Sequence, residues 1–187
     1  MPKTATAATL LLLIAVAVGR AQSPAPAPVM PKYSAQRALL LPVDYQQWIL
    51  AGTSLGLSYA DGAPAHPTFH ETLIEPTAYQ HFVRTGEFRD GTMLALLVHD
   101  PQEAGAPSKH GQYAAAVQAV EMAVKDSGRV AEGWAYYGFG RSPQPGVATA
   151  MPNPKASCYS CHSANAARDN VFLQFYSLLA AAAPRSN

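Results

Sequence analysis

The sequence predicts a single α+β domain in which short helices flank an antiparallel sheet, and three observations lead there. Four runs rich in β-branched, aromatic and aliphatic residues, at 68–74, 92–98, 115–124 and 134–139, have strand length and are separated by turn residues. Segments with helical spacing lie towards the ends of the chain instead of between every pair of strands, a distribution that favours an antiparallel sheet over a parallel one. The part outside the termini, residues 34–183, is roughly 150 residues, enough for one domain with its own core.

In chain order, residues 1–21 hold a Lys near the start, an apolar stretch from Ala8 to Val18, and Gly19-Arg20-Ala21 before Gln22, the pattern of a cleaved secretory signal. The apolar stretch is well short of the about 20 residues a membrane span needs. Residues 22–33 are Pro/Ala-rich without hydrophobic period and read as an extended tether; 184–187 read as a tail. Pro42 opens a segment with Tyr45, Trp48 and Ile49 on one face at helical spacing, which predicts a short helix over 42–49. Residues 60–67 are turn chemistry and 68–74 the first strand. Residues 76–84 place Tyr79, Phe82 and Val83 on one helical face, with Gly86 as a stop. Asp90-Gly91 marks a turn before the apolar strand 92–98, and 115–124 and 134–139 complete the sheet. At the C-terminal end, Phe172, Phe175, Tyr176 and Leu179 recur at i, i+3, i+4 and i+7, predicting an amphipathic helix over 169–179 capped by Asp169.

Between the last strand and that helix stands Cys158-Tyr159-Ser160-Cys161-His162, the spacing that attaches a c-type haem: two thiols for the porphyrin vinyl groups, then an imidazole to ligate the iron. Other C-x-x-C chemistries fit less well. A zinc site wants four ligands, and these are the only two cysteines in the chain. A thioredoxin-like dithiol follows a strand and opens a helix, whereas residues 141–155 are irregular and contain four prolines. His is only 6 of 187 residues, so one directly after the second Cys is an uncommon coincidence. The sequence therefore predicts one covalent haem c, with Cys158 and Cys161 as attachment points and His162 as iron ligand. An export signal agrees with this, since such haem is attached outside the bacterial cytoplasm, and the expected location is the periplasm or beyond.

Charge excludes more than it suggests. The 13 basic and 12 acidic residues nearly cancel, and removing Lys3 and Arg20 with the signal leaves 11 against 12. No basic stripe predicts nucleic-acid binding, and no acidic tail is present.

Several stretches together resemble the cytochrome P-460 family of exported mono-haem proteins. They are Asp44-Tyr45 with Trp48; Leu55-Gly56-Leu57-Ser58-Tyr59; Glu75-Pro76-Thr77-Ala78-Tyr79 with Phe82; Asp90-Gly91-Thr92-Met93; Val124-Lys125-Asp126-Ser127; Gly133-Trp134-Ala135-Tyr136-Tyr137-Gly138-Phe139; the haem motif; and the run from Asp169 to Tyr176. The resemblance implies an antiparallel α+β fold, commonly a homodimer, and a five-coordinate iron with His162 proximal and the distal face open. In the family's hydroxylamine-oxidising members a sheet lysine is bonded to the porphyrin. This chain departs from that pattern, because residues 92–99 contain no lysine and Lys109 and Lys125 are the remaining nearby amines. Relatives without the bond, the cytochromes c prime-beta, keep an apolar distal pocket that takes small neutral ligands such as nitric oxide.

Three functions follow as expectations. The first is binding or detoxification of nitric oxide or a related small nitrogen ligand. The second is oxidation of hydroxylamine with electrons passed to a redox partner protein. The third is a mono-haem electron carrier, whose sixth ligand would come from Met93, Met122, Met151, His70, His81, His99 or His110.

Overall fold

The computed structural model describes residues 26–58, 61–62, 64–141 and 143–184, so the expected signal segment and most of the tail lie outside the described residues. Five strands, β2 (Ile49–Leu55), β3 (Phe69–Ile74), β4 (Met93–Glu103), β5 (Gln112–Lys125) and β6 (Trp134–Arg141), form one antiparallel sheet in sequential order. A two-stranded ribbon pairs β1 (Leu39–Leu40) with β7 (Thr149–Ala150). Helices α1 (Pro76–Thr85), α2 (Tyr159–Asn165) and α3 (Ser177–Ala182) complete the α+β architecture expected from the sequence. None of the described helices is long and apolar enough to cross a membrane.

The period-2 geometry of strands sends alternate side chains to opposite faces. On one face Leu73, Met93, Ala95, Leu97, Val120, Met122, Val124 and Tyr137 pack with Leu39, Leu41, Tyr45 and Trp48 of the N-terminal segment. On the other, Ile74, Leu94, Trp134 and Tyr136 pack with Ala78, Phe82 and Phe88, and with Val171 and Leu179. Val29 and Met30, at the end of the segment read as a tether, reach the body: Val29 N donates to Thr77 Oγ1 (3.1 Å), and Arg89 contacts the Met30 sulfur.

Helix α1 begins and ends where its residues dictate. Buried Glu75 accepts from the backbone N–H of Thr77 (2.9 Å) and Ala78 (2.8 Å), Pro76 occupies the first turn, and Gly86 ends the helix in the left-handed region at φ 75°.

Two expected helices take other forms. Residues 42–49 make only one 3₁₀ turn, Tyr45–Gln47, before the chain enters β2, a strand absent from the sequence reading. Tyr45 and Trp48 are buried in the core nonetheless, so the apolar spacing was real and its cause was a turn feeding a strand. Residues 169–179 also divide. Asp169 (φ 45°) and Asn170 (φ 60°) are left-handed, Leu173–Phe175 is a 3₁₀ turn, and α3 starts only at Ser177. Asp169 caps no helix. The C-terminal segment crosses closely over β2: a Cβ added to Gly52 would lie 2.7 Å from Tyr176 Cα, so only glycine fits there.

Candidate functional site

Helix α2 carries the Cys-x-x-Cys-His motif onto the edge of the sheet beside β6. Cys158 and Cys161 are free thiols, and with half-buried His162 they line a single cavity of about 340 Å³. The helix places Cys158 and Cys161 three residues apart and His162 one turn after Cys158, with His162 N–H bonded to Cys158 O (3.1 Å).

The imidazole is held tightly. His162 packs in tilted contact with the rings of Tyr136 (centroids 4.3 Å apart) and Phe172 (4.4 Å). Its Nδ1 is 2.8 Å from the Asn170 carbonyl, which fixes Nδ1–H as the donor and leaves Nε2 as the nitrogen with a free lone pair. Burial lowers the His162 pKa and outweighs the opposing effect of the Asn170 hydrogen bond, so the ring is neutral at neutral pH, the form that ligates metals. The same carbonyl accepts from Tyr136 OH (3.2 Å), and burial raises that phenol's pKa, keeping it a donor.

The sheet supplies the opposite lining. Register puts His70, Val98 and Ser54 in one cross-strand row, and Thr72, Leu96 and Glu121 in the next, all on the face that carries Leu94 and Tyr136. The central stripe Leu94, Leu96 and Val98 is apolar. On the same strand Ala95 and Leu97 are buried on the other face, whereas Leu96 and Val98 are only half-buried because they look into the cavity. A flat apolar group tied to the two thiols would cover them, so the residues present fit a porphyrin.

The flanks of the stripe are polar, which the sequence reading missed. Glu121 stands opposite Leu96. Its side chain reaches solvent through the open cavity, yet the surrounding protein desolvates it enough to raise its pKa. His70 is paired with Thr68 (Nε2 to Oγ1, 3.0 Å), and burial lowers its pKa.

Among the side chains considered as sixth ligands, His70 and Met122 border this cavity, and of the two His70 lies on the strand face that opens onto it. Met93 and Met122 belong to the core of the other face, and Met151 is exposed. His81 lies on α1 and His110 in the β4–β5 connection. His99 Nδ1 is 2.6 Å from Ala115 O, and its Nε2 is 3.4 Å from Glu71.

Among the described residues no lysine lines the cavity. Lys109 is in the exposed β4–β5 connection, Lys155 pairs with Glu132, and Lys125 donates to Phe88 O (2.8 Å) and Asp169 Oδ2 (2.7 Å) in a separate cleft.

A family model described as Cytochrome P460 matches residues 42–173, most of the chain and every strand of the five-stranded sheet. No curated protein matches the chain.

Proposed function

The chain belongs to the cytochrome P460 family of c-type haem proteins, and from that premise we propose that it is exported, carries one haem bonded to Cys158 and Cys161 with His162 as its axial ligand, and binds nitric oxide at an open distal position. The observation that carries this reading is the convergence of Cys158, Cys161 and His162 on one cavity whose facing wall is Leu94, Leu96 and Val98.

When bound, the haem supplies an iron centre for a small ligand. The chain's residues do the rest. His162 offers a neutral nitrogen oriented by Asn170, and the two thiols would hold a haem at the α2 end. The aliphatic stripe would disfavour anions and water in the cavity while leaving a neutral diatomic unhindered. The absence of a lysine from the described lining favours a porphyrin joined to α2 alone.

Intact mass, tryptic mapping and absorption spectra with and without nitric oxide test this together. The expected result is haem on the Cys158–Cys161 peptide only, high-spin features, and a rapid spectral change on adding nitric oxide. Haem joined to a second, lysine-bearing peptide would overturn the unlinked reading, and low-spin bands insensitive to nitric oxide would overturn the open iron.

Glu121 favours a second reading, oxidation of hydroxylamine. That reaction needs proton acceptors next to the bound substrate, and a desolvated carboxyl in the same cavity can serve as one. If it does, hydroxylamine turnover with an external electron acceptor falls about a hundredfold or more in Glu121→Gln, the usual range for a general base. Turnover equal in the two proteins removes this role.

A further inference from the structure

We propose that Lys125 and Trp134 are positioning residues for His162, acting through the left-handed turn Asp169–Asn170. The inference rests on His162 being the protein ligand of the iron.

Two consecutive residues other than glycine in the left-handed region are unfavourable, and Asp and Asn are among the few types that tolerate it. The turn is held by two donors from the sheet. Lys125 Nζ, on β5, lies 2.7 Å from Asp169 Oδ2, and Trp134 Nε1, on β6, donates to Asp169 Oδ1 at 3.1 Å. Lys125 and Trp134 are register partners across β5 and β6, so the two donors arrive as one rigid unit. Lys125 is further fixed by Phe88 O, and the Trp134 ring packs edge-on against Phe88. The next residue, Asn170, turns its carbonyl to both His162 Nδ1 and Tyr136 OH.

The consequence is specific. A ligating histidine that donates its second N–H to a fixed carbonyl has its ring orientation set and its basicity raised. A more basic imidazole stabilises the oxidised iron and strengthens the iron–nitrogen bond. Asp169 does not touch His162; it determines where the Asn170 carbonyl stands. This also gives a physical role to two motifs that the haem attachment leaves unexplained, the Val-Lys-Asp-Ser run at Lys125 and the Asp-Asn pair.

The test uses the full haem-loaded chain with Asp169→Gly, Trp134→Phe, Lys125→Met and Lys125→Arg, and Lys155→Met as a surface control. Glycine accepts the left-handed conformation, so Asp169→Gly removes the anchors while leaving the turn accessible. Resonance Raman of the ferrous protein reads the iron–histidine stretch, and spectroelectrochemical titration reads the midpoint potential.

Asp169→Gly is expected to lower the stretching frequency and raise the potential. Trp134→Phe and Lys125→Met should give smaller shifts in the same direction, Lys125→Arg should return towards the parent values, and Lys155→Met should not move them. Parent values in all three anchor variants would overturn the proposal. If Asp169→Gly fails to accumulate with haem, Trp134→Phe and Lys125→Met decide alone by the same criterion. A parent protein with no iron–histidine stretch would sink the five-coordinate, His162-ligated iron on which the inference rests, a different result from a band that the variants leave in place.

Discussion

The two faces of the sheet are built from the same strands and much the same residue types, yet one is complete and the other is not. On β4, Met93, Ala95 and Leu97 point into a core closed by Leu39, Leu41, Tyr45 and Trp48. Their neighbours Leu94, Leu96 and Val98 point the other way; Leu94 is covered by the layer containing Phe82 and Val171, but Leu96 and Val98 open onto the cavity beside His162. Close-packed interiors leave few voids larger than a water molecule. An aliphatic stripe left half-covered on an otherwise buried strand therefore marks where a further apolar body belongs, and the comparison teaches which half of the protein depends on its cofactor.

The largest effect should come from removing that body. Cys158→Ala with Cys161→Ala prevents the proposed attachment and leaves the stripe facing water, while the closed face is untouched. Each side chain uncovered costs on the order of 1 kcal/mol, so the double variant should lose several kcal/mol and show a markedly lower thermal midpoint by circular dichroism. A midpoint equal to that of the haem-loaded parent would mean that the cavity face is stable by itself.

Next in size is a paired truncation. Leu97→Ala opens a hole in the closed core and should cost about 2 to 5 kcal/mol, with nitric oxide association unchanged. Leu96→Ala, one residue away on the cavity side, should cost less than about 2 kcal/mol, because its half-exposed site loses fewer contacts, but it should alter the rates of nitric oxide binding or release. Denaturant unfolding and stopped-flow absorption separate the two. Equal stability losses with no kinetic change in Leu96→Ala would erase the distinction between the faces.

How much of this was legible in the sequence follows the same division. Strands β3 to β6 were readable because aliphatic, aromatic and β-branched residues run through them at strand length, and α1 because Pro76 and Gly86 bound its apolar face. Strand β2 was not: Ala51, Gly52, Thr53 and Ser54 carry no alternation, and Gly52 is there to admit the backbone at Tyr176. The spacing of Phe172, Phe175, Tyr176 and Leu179 suggested one helix because a 3₁₀ turn followed by a helical turn repeats nearly as an α-helix does. Of the site, the motif residues were evident and the sheet's contribution was not. Which of His70, Thr72, Leu96 and Glu121 face the haem motif depends on the pairing register between strands, and a shift of one residue would turn each of them to the other face.

The smallest expected effect concerns the polar flanks of the cavity, and its sign distinguishes them. Burial raises the Glu121 pKa above its ordinary value of 4.5. In the window just above 4.5 the folded chain therefore binds more protons at this site than the unfolded chain, and stability falls as pH rises through it. Glu121→Gln removes the titration, so its thermal midpoint should gain on the parent's over that window and hold the gain at higher pH. The size is modest, because the carboxyl reaches solvent through the open cavity. His70 acts in the opposite sense: burial lowers its pKa below 6.5, the unfolded chain binds more protons just below that value, and stability rises with pH there. His70→Gln should accordingly gain on the parent at low pH and lose the gain towards 6.5. Thermal midpoints of the haem-loaded parent and both variants, measured from pH 4 to pH 8, resolve the two slopes. A Glu121→Gln difference that stays constant across the range would show that this carboxyl is solvated as freely in the folded protein as in the unfolded chain, and the cavity's edge would then have to be drawn nearer to Leu96.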